Sequence, residues 1–407
     1  MPNSPKPYLF KVWLIVISLL MLPAGMSRAQ KNYGPGVTDS LIKIGQTMPY
    51  SGPVSAWATL GRAEAAYFKM INDQGGVGGR KIELISLDDG YSPPRTVEQT
   101  RRLVEQDGVL LVFSPFGTPT NSAIHKYLNA KKVPHLFVAA MANKWADPQH
   151  FPWTMALWHD QNTETAVHAA WLLKNHPNAK IGVLYQNDDF GKDYVKGLKQ
   201  ALGEKASVMI VAEASYEVTD PTVDSQIILL KSAGADTLFT FASPKFAALS
   251  IRKTYDIGWH PMHIVAHPGT SVGSTLRPAG LEKSAGLIAA SFLKDPTDPQ
   301  WSDDPAMKAW LAWMKKYYPE GDVTDWFNVF GYTFAQALVY VLEQCGENLS
   351  RENVMGQATQ LRDLELPMLL PGIRINTSST DYRTIKQLQL QRFDGKRWVR
   401  FSDPTRP

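Results

Sequence analysis

The chain has 407 residues, 44% of them hydrophobic and 20% charged, with a formal charge of +4 at neutral pH. That composition suits a globular chain long enough for two domains with cores of their own, and so small a net charge does not point to nucleic acid or an anionic membrane as a partner. Cys345 is the single cysteine, which excludes an internal disulfide.

The first 29 residues differ from the rest. Lys6 and Lys11 lead into an apolar run over 12–22, which Pro23 and Gly25 end, and Ser27 and Ala29 place small side chains at the −3 and −1 positions of a cleavage site. This order predicts a secretory signal peptide over 1–29, cut after Ala29. The run is too short to span the ~30 Å of a bilayer core, and no cysteine follows it to carry a lipid. Losing Lys6, Lys11 and Arg28, and no acid, lowers the formal charge from +4 to +1. The expected location is the periplasm.

LIKIGQT (41–47) reads as a strand, and apolar residues at 60, 63, 67, 70 and 71 then recur at helical spacing. The turn QGGVGG (74–79) leads to a strand KIELISL (81–87). A helix over about 95–105, a strand GVLLVF (108–113), a helix over 121–132 and a strand VPHLFV (133–138) follow. The pattern then restarts: helix 163–174, strand 180–186, helix 190–203 stopped by Gly203, strand 208–214, helix 222–233, strand 236–242, helix 245–257 and strand 262–267. Such alternation predicts an α/β chain of two doubly wound units, each a mostly parallel sheet with helices on both faces. The tail adds a strand over 285–292, helices over 305–318 and 330–345, and a third helix capped by Ser350. It ends in a hairpin around Asp394-Gly395.

FSPFGTPTNS (113–122) leaves a buried strand just ahead of a helix. In open α/β sheets that edge is where ligands bind, and free N–H groups at a helix start suit an anion. Thr118, Thr120 and Ser122 add hydroxyl donors, so a carboxylate fits without a lysine; the same residues also suit an ordinary cap and turn. SGPVSAW (51–57) lies at the same edge and offers Trp57 either as a ligand wall or as a packed tryptophan. YQNDDFGKDY (185–194) is the matching turn of the second unit. Adjacent carboxylates such as Asp188 and Asp189 seldom converge on one scissile bond, so Asp189 is read as a helix cap and Phe190 as an aromatic facing the cleft.

GTSVG (269–273) matches a nucleophile elbow and raises a secreted hydrolase using Ser271 as an alternative. That order needs a later acid and then a later histidine, and the last histidine, His267, comes before Ser271. A strand over 262–266 turns His263 away from His260, so these histidines with His267 are not read as a metal site. QGGVGG precedes a strand and is a turn, not a dinucleotide fingerprint. No catalytic residue, metal or cofactor is assigned, and the chain is read as not an enzyme.

IKIGQTMPYSGPVSAW, INDQGGVGGRKIELISLDDG and VLYQNDDFGKDYVKGLK resemble the leucine/isoleucine/valine-binding family of periplasmic solute-binding proteins, the receptors of ABC importers, and the resemblance runs from about Ile42 to the C-terminus. It implies the type 1 periplasmic binding fold: two Rossmann-like lobes joined by three crossovers near 154–159, 288–292 and 374–380, with the ligand cleft between them. Lobe 1 would comprise 38–156 plus 290–376, and lobe 2 would comprise 157–289 plus 377–403. The resemblance implies Trp57 as a pocket wall, Gly117, Thr118 and Thr120 as the carboxylate loop, Ala139 and Ala140 as the next contact loop, Phe190 as the aromatic of the second lobe, and His267 and Thr270 as ligand contacts after the strand over 262–267.

Two departures bear on the ligand. Amino-acid receptors of this family place a threonine where Ala139, Ala140 and Met141 stand, and an acid where the chain has His267, Pro268, Gly269 and Thr270. An unpaired buried ammonium costs several kcal/mol, so an amino-free or aromatic carboxylate is favoured, with Trp153 and Trp158 adding aromatic surface. A branched-chain amino acid is the alternative ligand. The implied protein is a monomeric periplasmic receptor without cofactor. It closes about a hinge and delivers its ligand to an ABC permease in the inner membrane, or serves a sensor.

Overall fold

The structure is a computed structural model that describes residues 31–405, so the expected signal peptide lies outside the described residues. A short β1 (Asn32–Tyr33) precedes β2 (Leu41–Met48), whose Ile42 and Ile44 are fully buried. α1 (Ala58–Asp73) buries the expected stripe of Leu60, Ala63 and Tyr67. β3 (Lys81–Asp88), α2 (Pro93–Arg101), β4 (Val112–Phe113), α3 (Thr118–Ala130), β5 (His135–Val138) and β6 (Thr154–Ala156) complete the first unit. Its strands pair in parallel in the order β3-β2-β4-β5-β6. GVLLVF is buried and hydrogen-bonded to the β2 backbone through Leu110 and Leu111, but regular pairing covers only β4. α3 begins three residues ahead of its expected start, because Gly117 makes the turn and Pro119 suits a first helical turn.

The second unit runs through α4 (Gln161–Asn175), β7 (Ile181–Gln186), α5 (Asp189–Leu202), α6 (Ala206–Met209), β8 (Ile210–Tyr216) and α7 (Asp224–Ser232). It continues through β9 (Thr237–Phe241), α8 (Pro244–Asp256), β10 (Met262–Val265), α9 (Arg277–Ala279) and β11 (Ile288–Ser291). The tail carries α10 (Pro305–Tyr317), α11 (Trp326–Cys345), β12 (Asn348–Leu349), α12 (Arg351–Ala358) and the hairpin β13 (Gln389–Phe393) to β14 (Trp398–Arg400). The second sheet has the order β14-β13-β11-β10-β9-β7-β8, parallel from β11 to β8 and antiparallel at its hairpin edge.

The chain therefore crosses between the sheets three times: after β6, after β11 and ahead of β13. In between, the tail returns to the first unit. β12 pairs with β1, and α11 packs on α1 so closely that a Cβ on Gly331 would stand 2.6 Å from the Leu60 carbonyl oxygen and 2.8 Å from the Ala63 Cβ. Fifteen residues of α11 are buried, including Phe327 and Phe330. Such a helix is apolar nearly all round because it is covered on most sides, with only the stripe of Tyr332, Gln336, Tyr340, Glu343 and Gln344 partly exposed, and its aromatics form the floor under the cleft.

Candidate functional site

The cleft between the two sheets collects the C-terminal ends of their strands, as an open α/β sheet requires. From the first unit it is lined by Val54, Trp57, Tyr91, Phe116, Gly117, Thr118, Ala139, Ala140 and Met141. From the first crossover and the second unit come Trp158, Gln186, Phe190, Ser243 and Pro268. Trp57 is the anchor of its apolar wall. It stacks on Phe327 at 3.9 Å and on Phe116 at 4.7 Å between ring centroids, and lies 5.7 Å from Trp158, which itself meets Phe330 at 4.4 Å.

Gly117 sets the shape of the cleft at the start of α3. Its φ is +96°, and a Cβ there would come within 2.5 Å of the Tyr91 ring. Thr118 opens α3 with its Oγ1 buried and free of any protein partner. The first-turn N–H groups of α3 likewise have no intrahelical acceptor. Tyr91, Ser114 and Phe137, all near the strand ends here, hold positive φ of 60°, 48° and 56°; backbone strain of this kind persists where the surroundings enforce it and clusters at functional sites.

Six of the residues singled out in the sequence, Trp57, Gly117, Thr118, Ala139, Ala140 and Phe190, stand together on the cleft wall. Three do not. Thr120 sits on the far side of the first turn, its Oγ1 donating to the Phe116 and Gly117 carbonyls. His267 turns away from the cleft, its ring 4.2 Å from Trp326 and its backbone N–H donating to Glu164 Oε1 at 2.8 Å. Thr270 donates to the His267 carbonyl and accepts from Trp326 Nε1; it is Pro268 of that loop that faces the cleft.

The cap of α5 is Asp188 rather than Asp189: Asp188 Oδ1 accepts from the Phe190 and Gly191 N–H groups, and its Oδ2 accepts from Gln186 Nε2 at 2.6 Å and Tyr91 Oη at 3.1 Å. Asp189 instead meets Lys144 and Ser122 across the cleft mouth, each at 2.9 Å. Ser271 is an interior cap; its hydroxyl donates to Asp325 at 2.8 Å and accepts from the Ser274 N–H. His263 bonds Thr240 Oγ1 at 2.8 Å inside the second sheet.

Residues 41–397 match the family model described as "Periplasmic binding protein". The chain belongs to that family. A relative from Brucella abortus (strain 2308), "Leu/Ile/Val-binding protein homolog 7", is 25% identical over 345 residues, covering 81% of this chain and 82% of the relative. Among solved structures, a branched chain amino acid ABC transporter from Thermus thermophilus with bound valine superposes with a TM-score of 0.82 at 16% identity, over 91% of this chain and 98% of that one. A fatty acid ABC transporter substrate-binding protein from Thermomonospora curvata gives 0.78 at 21% identity, over 93% and 95%. These likenesses show the type 1 periplasmic binding fold, with two lobes joined by three crossovers.

Behind the cleft of this periplasmic binding protein lies a buried acid, Glu164 at the start of α4. It accepts from His159 Nε2 at 2.9 Å, from the His267 N–H at 2.8 Å, and from Tyr194 Oη. Burial pushes its carboxyl up, but the His159 hydrogen bond and the neighbouring imidazoles outweigh burial and hold it down at about 2. Burial keeps His267 well below its ordinary value, and His168 is pushed down to about 4. Through this one carboxylate the hub joins the first crossover (His159), α4, α5 (Tyr194) and the loop after β10. Tyr91, Gln186 and Ser243 escaped the reading of the sequence, although each ends or follows a strand at the same sheet edge that pointed to Thr118.

Proposed function

We propose that this periplasmic binding protein is the receptor of an ABC importer and binds a small amino-free or aromatic carboxylate by hinge closure. One observation carries the ligand class: among the described residues none of the fourteen that line the cleft is charged, and the buried Thr118 hydroxyl stands unpartnered at the start of α3. Helix N–H groups and a hydroxyl satisfy a carboxylate without a counter-charge, while nothing on the lining would neutralise an ammonium. Trp57, Phe116, Trp158 and Phe190 supply flat apolar surface for the rest of the ligand. In this reading Gly117, Thr118, Ala139 and Ala140 contact the ligand from lobe 1 (38–156 plus 290–376), and Phe190, Gln186, Ser243 and Pro268 from lobe 2 (157–289 plus 377–403). The receptor is an exported monomer whose partner is a permease in the inner membrane, and it performs no chemistry on its ligand.

A branched-chain amino acid is the second reading, and Asp188 is the observation that favours it. Its carboxylate lies directly behind Tyr91 and Gln186, so an ammonium reaches it once the Tyr91 hydroxyl swings aside.

Thermal unfolding of the exported protein against leucine, isoleucine, valine, phenylalanine, benzoate, hydroxybenzoates, cinnamates and short aliphatic acids tests both. A ligand present at about a hundred times its Kd adds about 2.7 kcal/mol of stability, a shift easily read. Stabilisation by amino-free acids alone is the expected result; stabilisation by leucine or valine alone overturns it in favour of the Asp188 reading.

A further inference from the structure

The cleft that Thr118 lines holds a second open polar position. Ser243 is the N-cap residue of α8. Serine at that place ordinarily turns its hydroxyl onto the N–H of the second or third helical residue. Here it makes no such bond, and its Oγ, in a residue 6% exposed, has no hydrogen-bond partner in the protein. It lines the same cavity as Thr118, from the other lobe.

The Ser243 hydroxyl lies beside Tyr216 Oη without a well-formed hydrogen bond to it, and the polar groups behind it are joined in one chain of bonds. The Ser243 N–H donates to Tyr216 Oη at 3.2 Å, Tyr216 donates to Gln186 Oε1 at 3.2 Å, and Gln186 Nε2 donates to Asp188 Oδ2 and to Tyr91 Oη. The Tyr91 hydroxyl donates to Asp188 in turn, which completes four donors on that carboxylate. The open Oγ is therefore complementary to a group that arrives with its own donor or acceptor.

We infer that the ligand is bipolar: a carboxylate at Thr118, a flat apolar middle between the aromatic walls, and a hydroxyl or carbonyl at the far end that pairs with Ser243. This rests on the carboxylate reading above and adds a second specificity determinant to it. A site that hydrogen-bonds a substrate hydroxyl discriminates against the analogue lacking it, because its own polar group is then left unpaired.

The test is calorimetric titration of the exported protein with two pairs of acids, benzoate against 4-hydroxybenzoate and cinnamate against 4-hydroxycinnamate. In at least one pair the hydroxylated acid should bind about tenfold or more tighter than its parent. Ser243→Ala should bring that ratio to within about twofold, and Ser243→Thr, which keeps the hydroxyl, should preserve it. Equal affinity for parent and hydroxylated acid in the unaltered protein, or a ratio that Ser243→Ala leaves intact, overturns the inference while the carboxylate reading stands. Binding of leucine or valine with no response to any of the four acids removes the carboxylate reading and this inference together.

Discussion

At the scale of single residues, Thr118 and Thr120 make opposite contributions despite lying two positions apart. Residues i and i+2 face different sides of a helix, so the first turn of α3 presents Thr118 Oγ1 to the cleft and folds Thr120 Oγ1 back onto the Phe116 and Gly117 carbonyls. Thr118→Val should weaken carboxylate binding by about ten- to a hundredfold, since a hydrogen bond to a charged group is worth about 1.5–3 kcal/mol, with little change in melting temperature. Thr120→Val should do the reverse, lowering the melting temperature and leaving affinity within about threefold; titration and thermal melts of the two variants check both. Such a distinction was beyond the sequence, which showed a hydroxyl-rich strand-to-helix turn but not where the helix would begin. Moving its start from 121 to 118 decides which hydroxyl faces the ligand. Tyr91, Gln186 and Ser243 were hidden for a related reason: each is an ordinary residue type at or just after a strand end, and only the convergence of strands from both lobes turns it into a wall.

At the scale of elements, the alternation of β2, α1, β3 and their successors was legible because each strand is an apolar run and each helix carries a 3.6-residue stripe. Positions at the ends were less so. β4 pairs regularly over two residues where six were apolar, since a buried extended run reads alike whether or not its backbone pairs in register. The role of α11 was legible only in part: the resemblance implied that the tail returns to lobe 1, but not that this helix lies on α1. Gly331 is what permits that contact. Gly331→Val would force the two helices apart at the Leu60 carbonyl, and overpacking of this kind costs about 1–3 kcal/mol. A lower urea midpoint with an unchanged slope is the expected signature. Because Phe327 and Phe330 ride on α11 beneath Trp57 and Trp158, ligand affinity should fall with it, which a purely global destabilisation would not produce at temperatures where the variant is fully folded.

At the scale of the whole molecule, two properties follow from groups that span or underlie the lobes. His168 is fully buried in α4 with neither ring nitrogen hydrogen-bonded, and burial pushes its pKa from 6.5 to about 4. A depressed imidazole binds its proton in the unfolded chain before the folded one, so its contribution to stability is complete above pH 6.5 and is lost as pH falls toward 4. His168→Leu removes that loss. The variant should match the parent or exceed it at pH 7, and its advantage should widen by up to ~1.4 kcal/mol per pH unit between 6.5 and 4, measured by urea unfolding at pH 7, 6 and 5. The second property is closure. Lys144 and Ser122 of the first unit grip Asp189 of the second at 2.9 Å each, at the mouth of the cleft, with Lys144 36% and Asp189 50% exposed. An ion pair so placed is worth about 0–1 kcal/mol and is screened by salt, whereas the half-buried Tyr91–Asp188 contact beside it is screened less. Closure and ligand binding are one equilibrium, because contacts from both lobes favour the closed form. Asp189→Asn should therefore weaken affinity by no more than about fivefold. Affinity of the parent should fall between 0.05 and 0.5 M salt toward that of the variant, whose own affinity should barely change. A salt response of equal size in both proteins would place the screened attraction elsewhere, on the ligand carboxylate or on the approach to α3, and would leave Asp189 as a spectator at the rim.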